Sequence, residues 1–196
     1  MKRIVLFSTL TENNTQLILN LTFPKEITDK VLAYMPSDGA NCPQEYVDKW
    51  RDYAEKYHAE FLYIDNSKEN AKNEISKLLS ANILVITGGN TFQLLFNLKK
   101  SGLFNAIKKF TEKNNFVISG FSAGALVLTP TINVCNLPNY DNNLVGLKDL
   151  TGLNLVNFEV FPHYSKKYKS VLERYKKTTS NEVKEISEEG HIVLEI

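Results

Sequence analysis

Two periodicities alternate along this chain, and that exchange limits its fold more than any other feature. Short runs rich in β-branched and aromatic residues, at 3–7, 31–35, 61–64, 83–87, 116–119, 159–161 and 191–195, read as strands. Longer amphipathic runs lie between them, at 15–21, 44–57, 67–79, 91–100, 104–113 and 166–177, and read as helices. Ser67 stands ahead of Glu69 and Asn70 like a helix start, and Gly102 follows Lys99 and Lys100 like a stop. Strand and helix in alternation predict an α/β fold with a mostly parallel sheet covered on both faces, so that function gathers at the carboxyl ends of the strands. No linker, repeat or low-complexity tract divides the 196 residues, which read as one domain, 1–196. The one long irregular stretch, 130–157, is rich in Asn, Pro and Gly. A loop of that length suits the shaping of a site.

Charge and composition remove several classes of function. With 23 basic and 22 acidic residues, the chain lacks the electrostatic footprint of a nucleic-acid binder. No apolar run reaches 18 residues, so no membrane span is expected and the protein reads as soluble. Cys42 and Cys135 stand far apart, in neither a metal-type nor a redox-type spacing, which argues against a disulfide, a metal site and an extracellular setting. The expected address is the cytoplasm.

Three stretches carry chemistry. In Val117-Ile118-Ser119-Gly120-Phe121-Ser122-Ala123-Gly124-Ala125, a serine stands between two glycines where an apolar strand gives way to a helix. Such a nucleophile elbow pushes the hydroxyl out over the sheet edge, and the following helix turns backbone N–H groups toward an oxyanion forming beside it. One strand earlier, Thr87-Gly88-Gly89-Asn90-Thr91 ends an apolar run. It reads either as a nest of N–H donors or as a tight strand-to-helix turn capped by Asn90. If the two strands run parallel, Gly89 and Ala123 N–H can converge beside Ser122 Oγ as an oxyanion hole. The third stretch, Phe158-Glu159-Val160-Phe161-Pro162-His163-Tyr164, delivers a histidine at the end of an apolar run. Of the three histidines, His58 falls on a polar helical face and His191 at the start of the last strand. His163 is therefore the candidate general base for Ser122.

The segments Gly88-Gly89-Asn90-Thr91-Phe92-Gln93-Leu94-Leu95, Gly120-Phe121-Ser122-Ala123-Gly124-Ala125 and Phe161-Pro162-His163-Tyr164, in this order and at these separations, resemble the peptidase E family, which also contains cyanophycinase. The likeness extends to Tyr34-Met35-Pro36-Ser37 and to Tyr46-Val47-Asp48-Lys49-Trp50. It implies a three-layer α/β/α sandwich like that of the class I glutamine amidotransferases, of flavodoxin-like type, with serine in place of their cysteine. It further implies a serine-type peptidase for small peptides, dipeptides with an acidic N-terminal residue among them, acting through an acyl-enzyme on Ser122. An esterase or other acyl hydrolase, or a catalytically weak ligand-binding relative, are the alternatives. Carried over residue by residue, Ser122 is the nucleophile, His163 the base, Gly89 and Ala123 the oxyanion donors, and Asn90, Thr91, Tyr164 and Tyr168 the substrate-binding residues. No metal or organic cofactor is implied, and the assembly expected is a monomer or homodimer.

The third member of the triad is open between two acids. Asp141, ahead of His163, would give the order serine, aspartate, histidine. Glu189, in Ser187-Glu188-Glu189-Gly190-His191, lies where some members of the family carry a glutamate, and it is preferred here. One departure bears on specificity. The family is expected to hold an acidic substrate side chain with an arginine on the helix after the histidine, whereas here that helix carries Lys166, Lys167 and Lys169, with an arginine only at Arg174. An ammonium offers a point charge and not a bidentate grip.

Overall fold

The computed structural model describes residues 1–138 and 140–196. Five strands form a parallel array: β1 (Lys2–Phe7), β2 (Val31–Met35), β3 (Glu60–Tyr63), β4 (Ile83–Ile86) and β5 (Phe116–Phe121). A sixth, β8 (His191–Glu195), joins antiparallel to β1, giving the order β3-β2-β4-β5-β1-β8. The centre of the sheet is apolar without interruption, as in Ile83-Leu84-Val85-Ile86, all buried, because a parallel sheet is covered on both faces.

Side chains alternate between the two faces along each strand and so build two cores. Ile4, Leu6, Leu84 and Ile118 pack into one, with α3 (Lys72–Ser80), α4 (Thr91–Ser101), α5 (Leu103–Phe110) and α6 (Ala123–Val127) contributing to it. Val5, Phe7, Val85 and Val117 pack into the other, against α1 (Thr15–Thr22) and α2 (Gln44–Lys56). The result is the α/β/α sandwich expected from the sequence. Gly102 ends α4 in the left-handed region, φ 84°, as its position after two lysines predicts.

The structure departs from the sequence reading in four places. First, β6 (Glu159–Tyr164) is not part of the main sheet and pairs instead with β7 (Val183–Ser187) in a separate two-stranded parallel sheet. The sequence hides β7, since Val183-Lys184-Glu185-Ile186-Ser187 buries Val183 and Ile186, a spacing of three that suits a helix better than a strand. Second, α3 starts at Lys72 and not at Ser67, because the Asp65 carboxylate takes both the N–H and the hydroxyl of Ser67 (3.0 and 2.5 Å) in a local turn. Third, α6 has only five residues, too few to carry a periodic signal. Fourth, the helix after His163 begins with a 3-10 turn, Lys166–Tyr168, before α7 (Lys169–Lys176).

The small sheet is anchored by Glu159, a fully buried carboxylate. It accepts hydrogen bonds from Tyr175 Oη, Thr179 Oγ1 (2.9 Å) and Asn181 Nδ2 (2.8 Å). With a longer contact from Thr131 Oγ1 (3.4 Å), four neutral donors satisfy the charge that burial would otherwise leave exposed to a low-dielectric interior. β6 thus has a fixed root, and its far end carries His163.

Candidate active site

Ser122 sits at the turn from β5 into α6 with φ 50° and ψ −116°, a conformation that costs a non-glycine residue on the order of 1–3 kcal/mol. Gly120 and Gly124 make that turn possible. A side chain on Gly124 would overlap the carbonyl oxygen of Ile86 at the end of β4, and one on Gly120 would run into the Gly124 carbonyl. The neighbouring strands β4 and β5 are parallel, with Ile86 beside Gly120, so the two strand-end turns lie side by side. A Cβ on Gly88 would come within 3.1 Å of Ser122 Cβ.

His163 also has a positive φ, 57°, where a register irregularity interrupts β6 between Phe161 and Tyr164. That twist turns the imidazole toward the elbow, with Nε2 3.0 Å from Ser122 Oγ. Nδ1 lies 2.7 Å from Glu188 Oε2. Because an ionised carboxylate can only accept, Nδ1 carries the proton, and Nε2 is left as an acceptor for the serine O–H. The side chains of His163 and Glu188 are 37% and 60% exposed, so the pair orients the ring more than it stabilises the fold.

Glu188 is thus the acid against His163, and the preference for Glu189 is corrected. The two residues are adjacent, at the turn between β7 and β8, and the register of that turn decides which one faces the histidine. Glu189 points the other way and accepts from Asn13 Nδ2 (2.6 Å). Asp141 is elsewhere. Its carboxylate accepts from Asn90 Nδ2 (2.6 Å) and Thr91 N–H (2.7 Å), bracing the start of α4.

The Gly-Gly-Asn-Thr segment is the capped strand-to-helix turn that its sequence allowed. Asn90 caps α4 by accepting from Gln93 N–H (2.9 Å), and Gly89, at φ 137°, packs so tightly against Ser37 that no side chain fits. Asn90 and buried Thr91 thus both brace the turn. Tyr168 packs on Phe161 (5.2 Å between ring centres), and Tyr164 meets the same ring edge-on (6.3 Å). Lys166, Lys167 and Lys169 are exposed, with Lys167 lying over the Tyr168 ring.

One contributor had no sequence signal. Ser8, fully buried just past β1, accepts from His163 N–H (2.9 Å) and donates to Ile186 O (3.0 Å). Its neighbour Phe7 accepts, through its carbonyl, the N–H of Ser122 (3.0 Å). Consecutive residues at the end of one strand therefore hold the backbones of both Ser122 and His163. A buried serine after an apolar run looks, in sequence, like any strand terminus.

A strained serine faced by a carboxylate-oriented histidine, on the carboxyl edge of a mostly parallel sheet, is an arrangement suited to hydrolysis by way of a nucleophile. Comparison with known proteins gives the class a family. The chain belongs to peptidase family S51, whose model matches residues 5–194. It is 31% identical over 150 residues to an uncharacterized peptidase of Pasteurella multocida strain Pm70, covering 75% of this chain and 71% of that one. It is 31% identical over 119 residues to peptidase E of Shigella flexneri serotype 5b, covering 59% of this chain and 50% of that one. Among solved structures, a peptidase E candidate from Listeria monocytogenes EGD-e superposes with a TM-score of 0.77 at 24% identity, over 99% of this chain and 94% of that one. A peptidase from an acI-B1 Actinobacterium superposes at 0.69 and 15% identity, over 99% and 83%. These likenesses carry the fold. Among the described residues, no helix is long and apolar enough to cross a membrane.

Proposed function

We propose that the chain is a serine-type peptidase that hydrolyses small peptides through an acyl-enzyme on Ser122. The observation that carries this reading is the continuous contact from Glu188 through His163 to Ser122, at 2.7 and 3.0 Å, ending on a strained elbow. Ser122 Oγ attacks the scissile carbonyl carbon as its proton passes to His163 Nε2. The carbonyl oxygen becomes an oxyanion, for which the Gly89 and Ala123 N–H groups are the donors. His163 then gives its proton to the leaving amine, the C–N bond breaks, and an ester on Ser122 remains. Water, deprotonated by His163, attacks that ester, and the serine leaves with the proton as the acid product departs. Throughout, Glu188 holds Nδ1–H and stabilises the imidazolium.

The two cysteines are free thiols, which suits a reducing, cytoplasmic setting. The preference for an acidic N-terminal residue has only the exposed lysines after His163 to support it, and a stack of lysines on a solvated face is a weak clamp.

The reading is tested with a fluorophosphonate probe and a dipeptide panel. Stoichiometric labelling of Ser122, lost in Ser122→Ala, together with dipeptide hydrolysis is the expected result. Turnover of p-nitrophenyl esters with none of dipeptides would replace it with an esterase. Failure to label would remove the catalytic reading.

A further inference from the structure

A cavity of about 390 Å³ lies between the end of β2, α2 and the Gly88-Gly89 turn. Ser122 does not line it, but two residues next to Ser122 do. Phe121 precedes Ser122 in the chain, and Gly88, which also lines the cavity, would bring an added Cβ within 3.1 Å of Ser122 Cβ and 3.4 Å of the Phe121 ring. Its volume falls in the lower part of the range of small-ligand pockets, enough for one amino-acid residue of a peptide.

The walls are aromatic. Tyr34, Tyr46, Trp50 and Phe121 line it, with Trp50 and Phe121 stacked at 6.3 Å between ring centres and Trp50 almost fully buried. Asp38 is the single charged lining residue, and no lysine or arginine shares the cavity. Its carboxylate is held by Ser37 Oγ (3.0 Å) and lies 3.5 Å from the position a Cβ on Gly89 would take. This carboxylate disfavours a second carboxylate in the cavity and, left unneutralised, would oppose the oxyanion at the Gly89 turn. It suits a positive group about two bonds from the scissile carbonyl carbon. In a dipeptide, that group is the free α-ammonium.

We propose that this cavity takes the N-terminal residue of the substrate, with its α-ammonium on Asp38 and an aromatic or large apolar side chain against Tyr46, Trp50 and Phe121. The inference rests on Ser122 as the nucleophile and names the substrate class for that site: dipeptides with a free amino end and an apolar, not acidic, first residue. An aspartate side chain placed here would meet Asp38 and no cation. The electron-rich faces of the aromatic rings add to the attraction for the ammonium.

The experiment measures kcat and KM for Phe-Leu, Asp-Leu and N-acetyl-Phe-Leu with the parent protein and Asp38→Asn. The expected result is kcat/KM for Phe-Leu at least about tenfold above both others. Asp38→Asn should raise KM for Phe-Leu about tenfold with a much smaller change in kcat, and should narrow the gap to Asp-Leu. Affinity is read separately by titration calorimetry on the Ser122→Ala protein, which binds without turning over. Tighter binding of Phe-Leu than Asp-Leu, weakened by adding Asp38→Asn, supports the proposal whatever the parent's turnover. Asp-Leu bound or cleaved at least as well as Phe-Leu, or an Asp38→Asn variant with unchanged KM and affinity, overturns it. Loss of fluorophosphonate labelling is the separate sign that the serine-peptidase reading itself has failed.

Discussion

Ser122 and His163 face each other at 3.0 Å, and both have a positive φ, 50° and 57°, which side chains normally avoid. Two strained residues in contact are not an accident of loop geometry, because each is held by a hydrogen bond to the end of β1, from Ser122 N–H to Phe7 O and from His163 N–H to Ser8 Oγ. The strain is therefore sustained by a well-packed strand and aligns the pair before any substrate arrives.

Replacement of each member of the proposed triad should follow its distance from the chemistry. Ser122→Ala and His163→Ala are expected to lower kcat by roughly 10⁴- to 10⁶-fold. Glu188→Gln, which leaves the ring but removes the charge from an exposed position, should cost about 10²- to 10⁴-fold. Glu189→Gln should stay within about tenfold of the parent, since that carboxylate meets Asn13. Asp141→Asn should show itself mainly in thermal unfolding, by about 1–2 kcal/mol, as the start of α4 loses its brace. Steady-state kinetics with paired melting curves separates these outcomes.

Ser8→Ala tests whether a fully buried residue positions His163 for the proposed reaction. The change leaves His163 N–H and Ile186 O without their buried partner, which should cost about 1–3 kcal/mol of stability. Turnover should fall by about 10- to 100-fold in kcat with little change in KM. An Ser8→Ala protein that melts earlier yet keeps its kcat would make Ser8 structural only.

Glycine substitutions should divide sharply. Gly124→Ala places a methyl group on the Ile86 carbonyl, where backbone meets backbone and neither can yield, so a loss of about 3 kcal/mol is expected. Gly146 has nothing within 4 Å of the added atom but a φ of 62°, so Gly146→Ala should cost about 1 kcal/mol from the backbone alone. Denaturant midpoints measured side by side give the comparison.

Much of this architecture was legible before any coordinates, because buried parallel strands such as β4 and β5 write themselves as continuous apolar runs. The elbow was legible for a different reason, the two glycines that a side chain would block. What escaped was set by long-range pairing. β7 carries too few apolar residues to announce a strand, so the true partner of β6 stayed hidden. Glu188 and Glu189 are chemically identical neighbours, and only the register of the β7–β8 turn sends one to His163 and the other to Asn13. Ser8 is the extreme case, a residue whose role exists only once β1, β6 and β7 have met.

Alkaline pH should loosen the fold in a defined window. Burial is the first cause that pushes up the phenols of Tyr34, Tyr63, Tyr140 and Tyr175, with Tyr63 raised to about 12. A group whose folded value lies above its unfolded one, near 10 for tyrosine, stabilises fully below that unfolded value and ceases to do so as pH climbs through the folded value. Stability should therefore decline from about pH 10 upward. Phenolate absorbance near pH 11 should be lower in the native than in the denatured protein, and equal absorbance would show these rings to be solvated.

Trp50 is the single tryptophan of the chain, and it stands in the wall of the cavity beside Ser122, stacked on Phe121 and set edge-on to Tyr53. Its indole is therefore a built-in optical sensor of that one site. Any molecule that enters changes the polarity around the only strong emitter in the protein, so occupancy can be followed as a spectral shift without a label, and the rest of the fold contributes no competing tryptophan signal.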